Sequence, residues 1–193
     1  MPIVMGLDIS TSCTGLTLLK HTKDFDPKQH IIHQEAIVFK TKDMTFWNKV
    51  DQFQKQIQAI YDKFGQIETF GVESPLKRFA SGASSASTVC LLQRFNGIVS
   101  YITRELYKVD PIYIGVTDAR KSCGIKTQQT KKAGMNAKMQ TARWMMEHDL
   151  QHINYPLKRG CEEDIVRTIY NVKSFVFDEI DSYVVARGTM NQL

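Results

Sequence analysis

Apolar residues in the first forty positions come in short blocks separated by small polar residues, the period-two or continuous pattern of strands. Residues 2–10 and 14–20 are two such blocks joined by the hydroxyl-rich STSC, and they predict a hairpin. HIIHQEAIVFK, residues 30–40, predicts a third strand after a polar loop carrying Asp26 and Pro27. The period then lengthens to three and four. Phe46, Trp47, Val50, Phe53, Ile57, Ile60, Tyr61 and Phe64 mark a helix, with Thr45 as N-cap and Gly65 as stop. TFGVES, residues 69–74, predicts a fourth strand, and LKRFASGASSAS after Pro75 reads as a small, basic loop.

A second helix is predicted over 87–108, where Val89, Leu91, Leu92, Phe95, Ile98, Val99, Ile102 and Leu106 cover more than one stripe. Such a helix packs on two surfaces, one of which a partner subunit can supply. Residues 111–116 predict a fifth strand, followed by a basic stretch to Lys138 and a helix over 136–148. Residues 150–172 give no readable period, and a last helix over 175–187 contains FDEIDSYVVA. Three consecutive strands followed by alternating helices and strands imply an α/β fold, with one five-stranded mixed sheet flanked by helices. The chain, 1–193, is expected to form a single domain of 22.1 kDa.

Composition narrows the classes. No apolar run reaches the length of a membrane span, and no basic-then-apolar leader opens the chain. Cys13, Cys90, Cys123 and Cys161 are too scattered for a disulfide frame and predict reduced thiols in a cytoplasmic setting. Neither GxGxxG nor GxxxxGK[ST] is present, so no nucleotide cofactor is expected. The net charge of +5 is unevenly spread: −1 over 1–75, +9 over 76–143 and −3 over 144–193. A basic middle between acid-bearing flanks fits a surface that contacts phosphates, and a solvated lysine-rich face fits it equally.

The chemistry lies in the acids. Asp8 interrupts an apolar strand, Glu73 ends another, and Asp178 and Asp181 sit three apart on the last helix, hence on one face. Singly each has an ordinary explanation: a turn residue, a strand-end acid, a solvated helical pair. Together they form a cluster that repels itself unless cations relieve it, and hard oxygen donors suit Mg²⁺ or Mn²⁺. Two such ions serve phosphodiester hydrolysis.

GLDISTSCTG with Asp8, FGVESPLKRFASGASSAS with Glu73, the helix LLQRFNGIVSYI, and FDEIDSYVVA with Asp178 and Asp181 resemble the RuvC-type Holliday-junction resolvases of the RNase H-like superfamily. Together these pieces anchor the chain from about Met5 to Ala186, and the loop and RFNG helix look most like phage-encoded members. The resemblance implies an RNase H-like fold and a homodimeric, Mg²⁺-dependent endonuclease with two ions per site, in which Mn²⁺ substitutes. It implies symmetric, ligatable nicks in a four-way DNA junction, with Asp8, Glu73, Asp178 and Asp181 as metal ligands. The helix 87–108 would form the dimer interface. Leu76 and Phe79 stand where the family has a wedging aromatic, and Lys126, Lys131, Lys132 and Lys138 where it has DNA-contacting lysines. The implied location is the cytoplasm, on the nucleoid, or the host cytoplasm for a phage protein.

Lys77, Arg78, Arg120 and Lys121 flank the acids in sequence and are further candidates for phosphate contact. His148 and His152 at helical spacing, with Cys161, lack the fourth ligand of a zinc site. Trp47, Trp144 and the Met135, Met139, Met145 and Met146 group are expected in the core, and His30 and His33 on the surface. Three rival functions remain open: a nuclease of the same scaffold acting on RNA–DNA hybrids, flaps or other branched DNA, a non-catalytic junction-binding protein, and a sugar-kinase or actin-like ATPase. The last needs a second phosphate-binding hairpin that the chain lacks.

Overall fold

A computed structural model describes residues 2–39, 43–74, 86–128, 135–158 and 171–193. Its strands are β1 (Ile3–Ile9), β2 (Cys13–Lys20), β3 (Ile31–Val38), β4 (Thr69–Glu73) and β5 (Pro111–Ile114). The helices are α1 (Pro27–His30), α2 (Phe46–Phe64), α3 (Ala86–Tyr107), α4 (Val116–Ser122), α5 (Ala137–Glu147) and α6 (Val176–Met190). One sheet runs in the order β3-β2-β1-β4-β5, with the first three strands antiparallel and β1, β4 and β5 mutually parallel. The mixed five-stranded sheet expected from the pattern is therefore present, and Asp8 lies on its central strand.

Side-chain alternation assigns each face a different partner. Met5, Leu7, Leu16, Leu18, Phe70 and Val72 enter one core with Phe53 and Ile57 of α2 and Phe95 and Val99 of α3. The other face carries α6, against which α4 and α5 pack through Ala119, Ala142, Met145, Ile180 and Val184. Residues of opposite parity face α6, and three of them are Gly6, Gly15 and Gly71. A Cβ at any of the three would collide with Ser182, Asp178 or Thr189, so α6 lies directly on the sheet because side chains are missing there. The buried Thr17 and Ser182 hydroxyls bond at 2.8 Å across this contact and fix the helix along its axis.

The caps of α2 are as predicted: Thr45 accepts from the Asn48 amide at 3.2 Å, and Gly65 ends the helix at φ 76°. Three local features differ from expectation. Pro27 starts a one-turn helix capped by Asp26 where a loop was expected. β5 stops at Ile114, and Val116 opens α4, because Gly115 serves as its N-cap. Trp47 is 57% exposed rather than in the core. Its ring meets Phe46 edge-on, with the Arg94 guanidinium 5.3 Å away, so a cation–π contact takes the place of burial. Trp144 does pack against the α6-side core, as expected. Among the described residues no helix is long and apolar enough to cross a membrane.

Candidate active site

The parity that sends Leu7 and Val72 into the first core turns Asp8 and Glu73 to the α6 face, at the C-terminal ends of two adjacent parallel strands. Asp8 pairs across the sheet with Gly15 of β2, and Gly15 lies directly beneath the Asp178 backbone. The missing side chain at Gly15 thus lets the first turn of α6 descend beside Asp8. Asp181 follows Asp178 by nearly one helical turn and faces the same way.

These acids converge on one ammonium. Lys138, in the first turn of α5, places Nζ 2.6 Å from Asp178 Oδ1, 3.0 Å from Asp181 Oδ2 and 3.6 Å from Asp8 Oδ2. The carboxylates are nearly enclosed, at 17%, 9% and 13% exposure, while the Lys138 side chain is 40% exposed. Glu73 lies within electrostatic reach of Asp181, Arg120 and Lys138. The Arg120 Nε is buried and has no hydrogen-bond partner among the described residues.

Burial and mutual repulsion shape the protonation of the cluster. Burial, then the Asp181 charge, raises Asp8 well above the usual carboxylate range, against the pull of Lys138. Asp181 is also raised by burial, with Lys138 opposing. Glu73 is pushed up to about 7 by burial and then Asp181, with Arg120 and Lys138 opposing. Burial alone would lower Lys138, but Asp181, Asp8 and Asp178 override it and hold the ammonium charged.

An acid raised in this way keeps a proton in the folded state that the unfolded chain has released. Glu73 therefore stabilises the fold most at low pH, and its contribution is lost as pH rises from the usual 4.5 to about 7. In EDTA, the melting temperature is expected to fall across that window, and Glu73→Gln should flatten the slope. A melting temperature that climbs over the same range would show that Glu73 is ionised throughout.

The other predicted residues divide into three groups. Arg120 reaches the acids from α4, whereas Lys121 and Lys126 are exposed nearby in the chain. Lys138, one of the expected DNA-contacting lysines, is ion-paired within the acid cluster. Leu76, Lys77, Arg78, Phe79, Lys131, Lys132 and Cys161 lie outside the described residues. His148 stacks on Trp144 at 4.1 Å and donates Nδ1–H to the Trp144 carbonyl at 2.7 Å, which accounts for it without a metal. His30 and His33 are half-buried rather than on the open surface: His30 accepts from the Asp26 amide and His33 lies against Phe64.

Two contributors escaped the sequence reading. The buried Cys13 thiol hydrogen-bonds Asp178 and is pushed far up by burial and then by that carboxylate. Its parity with Gly15 on β2 was the available signal. Lys49 donates to the Thr11 carbonyl at 2.6 Å, pinning the β1–β2 turn that follows Asp8, and nothing in its spacing announces this.

The donor set is all oxygen and strongly anionic, which in kind fits a hard divalent cation. Three of these acids surround the Lys138 ammonium, and among the described residues no three His, Cys, Asp or Glu side chains are drawn together closely enough to ligate one ion.

No family model and no curated protein matches the chain. Solved structures do. RuvC of T. thermophilus in complex with a Holliday junction substrate matches with a TM-score of 0.61 at 13% identity, over 100% of this chain and 95% of that one. The fowlpox virus resolvase, in complex with its substrate Holliday junction DNA, matches with a TM-score of 0.51 at 11% identity, over 98% and 97%. The yeast mitochondrial Holliday junction resolvase gives 0.51 at 14% identity, over 97% of this chain and 77% of that one. The chain has an RNase H-like fold, and within that class it has the RuvC-type resolvase fold.

Proposed function

We propose that the chain is a divalent-metal-dependent endonuclease that resolves four-way DNA junctions by paired, symmetric nicks. One observation carries this reading: Asp8, Asp178 and Asp181 all lie within 3.6 Å of the Lys138 ammonium beside the end of the central strand, with Glu73 in electrostatic reach of Asp181. They do so on a fold matched along nearly its whole length by resolvases solved with Holliday junctions.

Asp8, Glu73, Asp178 and Asp181 would hold Mg²⁺, with Mn²⁺ able to replace it. Bound as a pair, the ions would lower the pKa of the attacking water and stabilise the leaving oxygen. The protein's own groups do the rest. Near-complete burial of the carboxylates keeps bulk water from competing for their oxygens. Arg120, whose charge reaches Glu73 and Asp181, would supply a guanidinium for the non-bridging phosphate oxygens. Exposed Lys121 and Lys126 extend the positive surface along the strand.

Paired nicks require two sites held in fixed relation, and α3 supplies a suitable dimer surface. Cys90, Arg94, Gly97 and Tyr101 recur every three or four residues on its outer side, all exposed, with Tyr101 at 61%. A Cβ on Gly97 would meet nothing within 4 Å, leaving room for a second helix to approach closely. Trp47 adds apolar area beside Arg94. Tyr101→Glu is expected to leave the protein monomeric in sedimentation velocity and to yield single, uncoupled nicks. A variant that still sediments as a dimer would move the interface elsewhere.

The deciding assay is incubation with end-labelled four-way junction, flap, RNA–DNA hybrid and linear duplex, with Mg²⁺ or with EDTA. Cuts at symmetry-related positions on opposed strands of the junction, dependent on Mg²⁺, are expected. Cleavage confined to the hybrid would make the chain a hybrid nuclease, and binding without cutting would make it a non-catalytic junction protein.

A further inference from the structure

Lys138 is an odd residue at its position on the helix. It is the second residue of α5, just after the Asn136 N-cap, where the helix dipole disfavours a cation. The acid cluster explains it: Nζ sits 2.6 Å from Asp178 and 3.0 Å from Asp181, with Asp8 at 3.6 Å. Those distances suit charge-assisted hydrogen bonds to the first two acids. The same oxygens are the ones assigned above to a divalent ion.

We propose that Lys138 is a built-in competitor for the metal: its ammonium and the divalent cation exclude one another from the oxygens of Asp8, Asp178 and Asp181. This rests on the assignment of those acids as ligands. Magnesium needs its oxygens at about 2.0–2.1 Å, so an ion among them would lie far inside the separation that two cations tolerate in a poorly screened site. Loading then requires the side chain to withdraw. It can, because it is 40% exposed at a helix end and its four-carbon stem reorients without moving the backbone. The lysine keeps the acids from repelling one another before metal arrives, at the expense of metal affinity.

The test is a calorimetric titration of DNA-free protein with MnCl₂, comparing wild type with Lys138→Met and Lys138→Gln. Both variants are expected to bind Mn²⁺ about 10- to 100-fold more tightly, the worth of one charge-assisted hydrogen bond. Both should also melt at lower temperature without metal and gain more from Mn²⁺ than wild type does. A second measurement uses only wild type: acetylation of Lys138, read by mass spectrometry, is expected to speed up severalfold when Mn²⁺ is added. Equal or weaker Mn²⁺ binding by the variants would overturn the proposal while leaving the ligand assignment intact. An acetylation rate indifferent to bound Mn²⁺ would do the same. Failure of all three proteins to bind Mn²⁺ would sink the ligand assignment and this proposal together.

Discussion

Asp8→Asn is expected to lower junction cleavage by about a thousandfold or more, because a metal-held group contributes several kcal/mol to the transition state. Junction binding should stay close to that of wild type. Asp8 is nearly enclosed and contributes negative charge, so its loss removes no phosphate contact and slightly eases the approach of a polyanion. Asparagine keeps the volume and one oxygen, so the strand pairing of Asp8 with Gly15 need not change. Gel-shift and cleavage assays on the same labelled junction separate the two effects. Cleavage within tenfold of wild type would place the chemistry elsewhere. A parallel loss of binding and cutting would point instead to a misfolded strand end.

The largest expected effect on stability comes from a single methyl group. Gly15→Ala would place a Cβ inside the Asp178 backbone, which cannot rotate aside as a side chain does. The first turn of α6 must lift from the sheet, and overpacking of this kind costs about 3 kcal/mol or more. The loss is coupled to function, because the displaced turn carries Asp178 and, a turn later, Asp181. A lower denaturant midpoint with an unchanged slope, together with weaker Mn²⁺ binding, is expected. A variant as stable as wild type would mean that α6 does not rest on β2 as described.

Much of this architecture is legible in the sequence because burial and period were linked without ambiguity. The short apolar block over residues 2–10, interrupted by Asp8, reads as a strand, and it lies at the centre of the sheet. Thr45 and Gly65 bracketed α2 because capping chemistry is local. The acids of α6 were readable as a pair through their spacing, and the resolvase-like motifs named the fold that the structural matches show. The failures have physical causes too. The seven-residue helix α4 is too short to display a period, and with Arg120 and Lys121 it reads only as part of a basic stretch. Trp47 satisfied the helical pattern, yet α3 supplies Arg94 beside it, a tertiary event that spacing cannot foretell. The place of Lys138 beside the acids was not legible either. It lies 40 residues before Asp178, and only the docking of α5 on α6 brings its ammonium to the acids. In the sequence it is one lysine in a basic stretch, indistinguishable from Lys126, Lys131 and Lys132.

Cleavage by this protein, as proposed, requires four remote acids to share divalent cations, and diffraction from crystals grown with MnCl₂ tests that most directly. Anomalous peaks are expected within bonding distance of carboxylate oxygens from Asp8, Glu73, Asp178 and Asp181, with Lys138 Nζ turned away from them. Manganese bound only elsewhere, with Lys138 still seated among the acids at saturating metal, would contradict it.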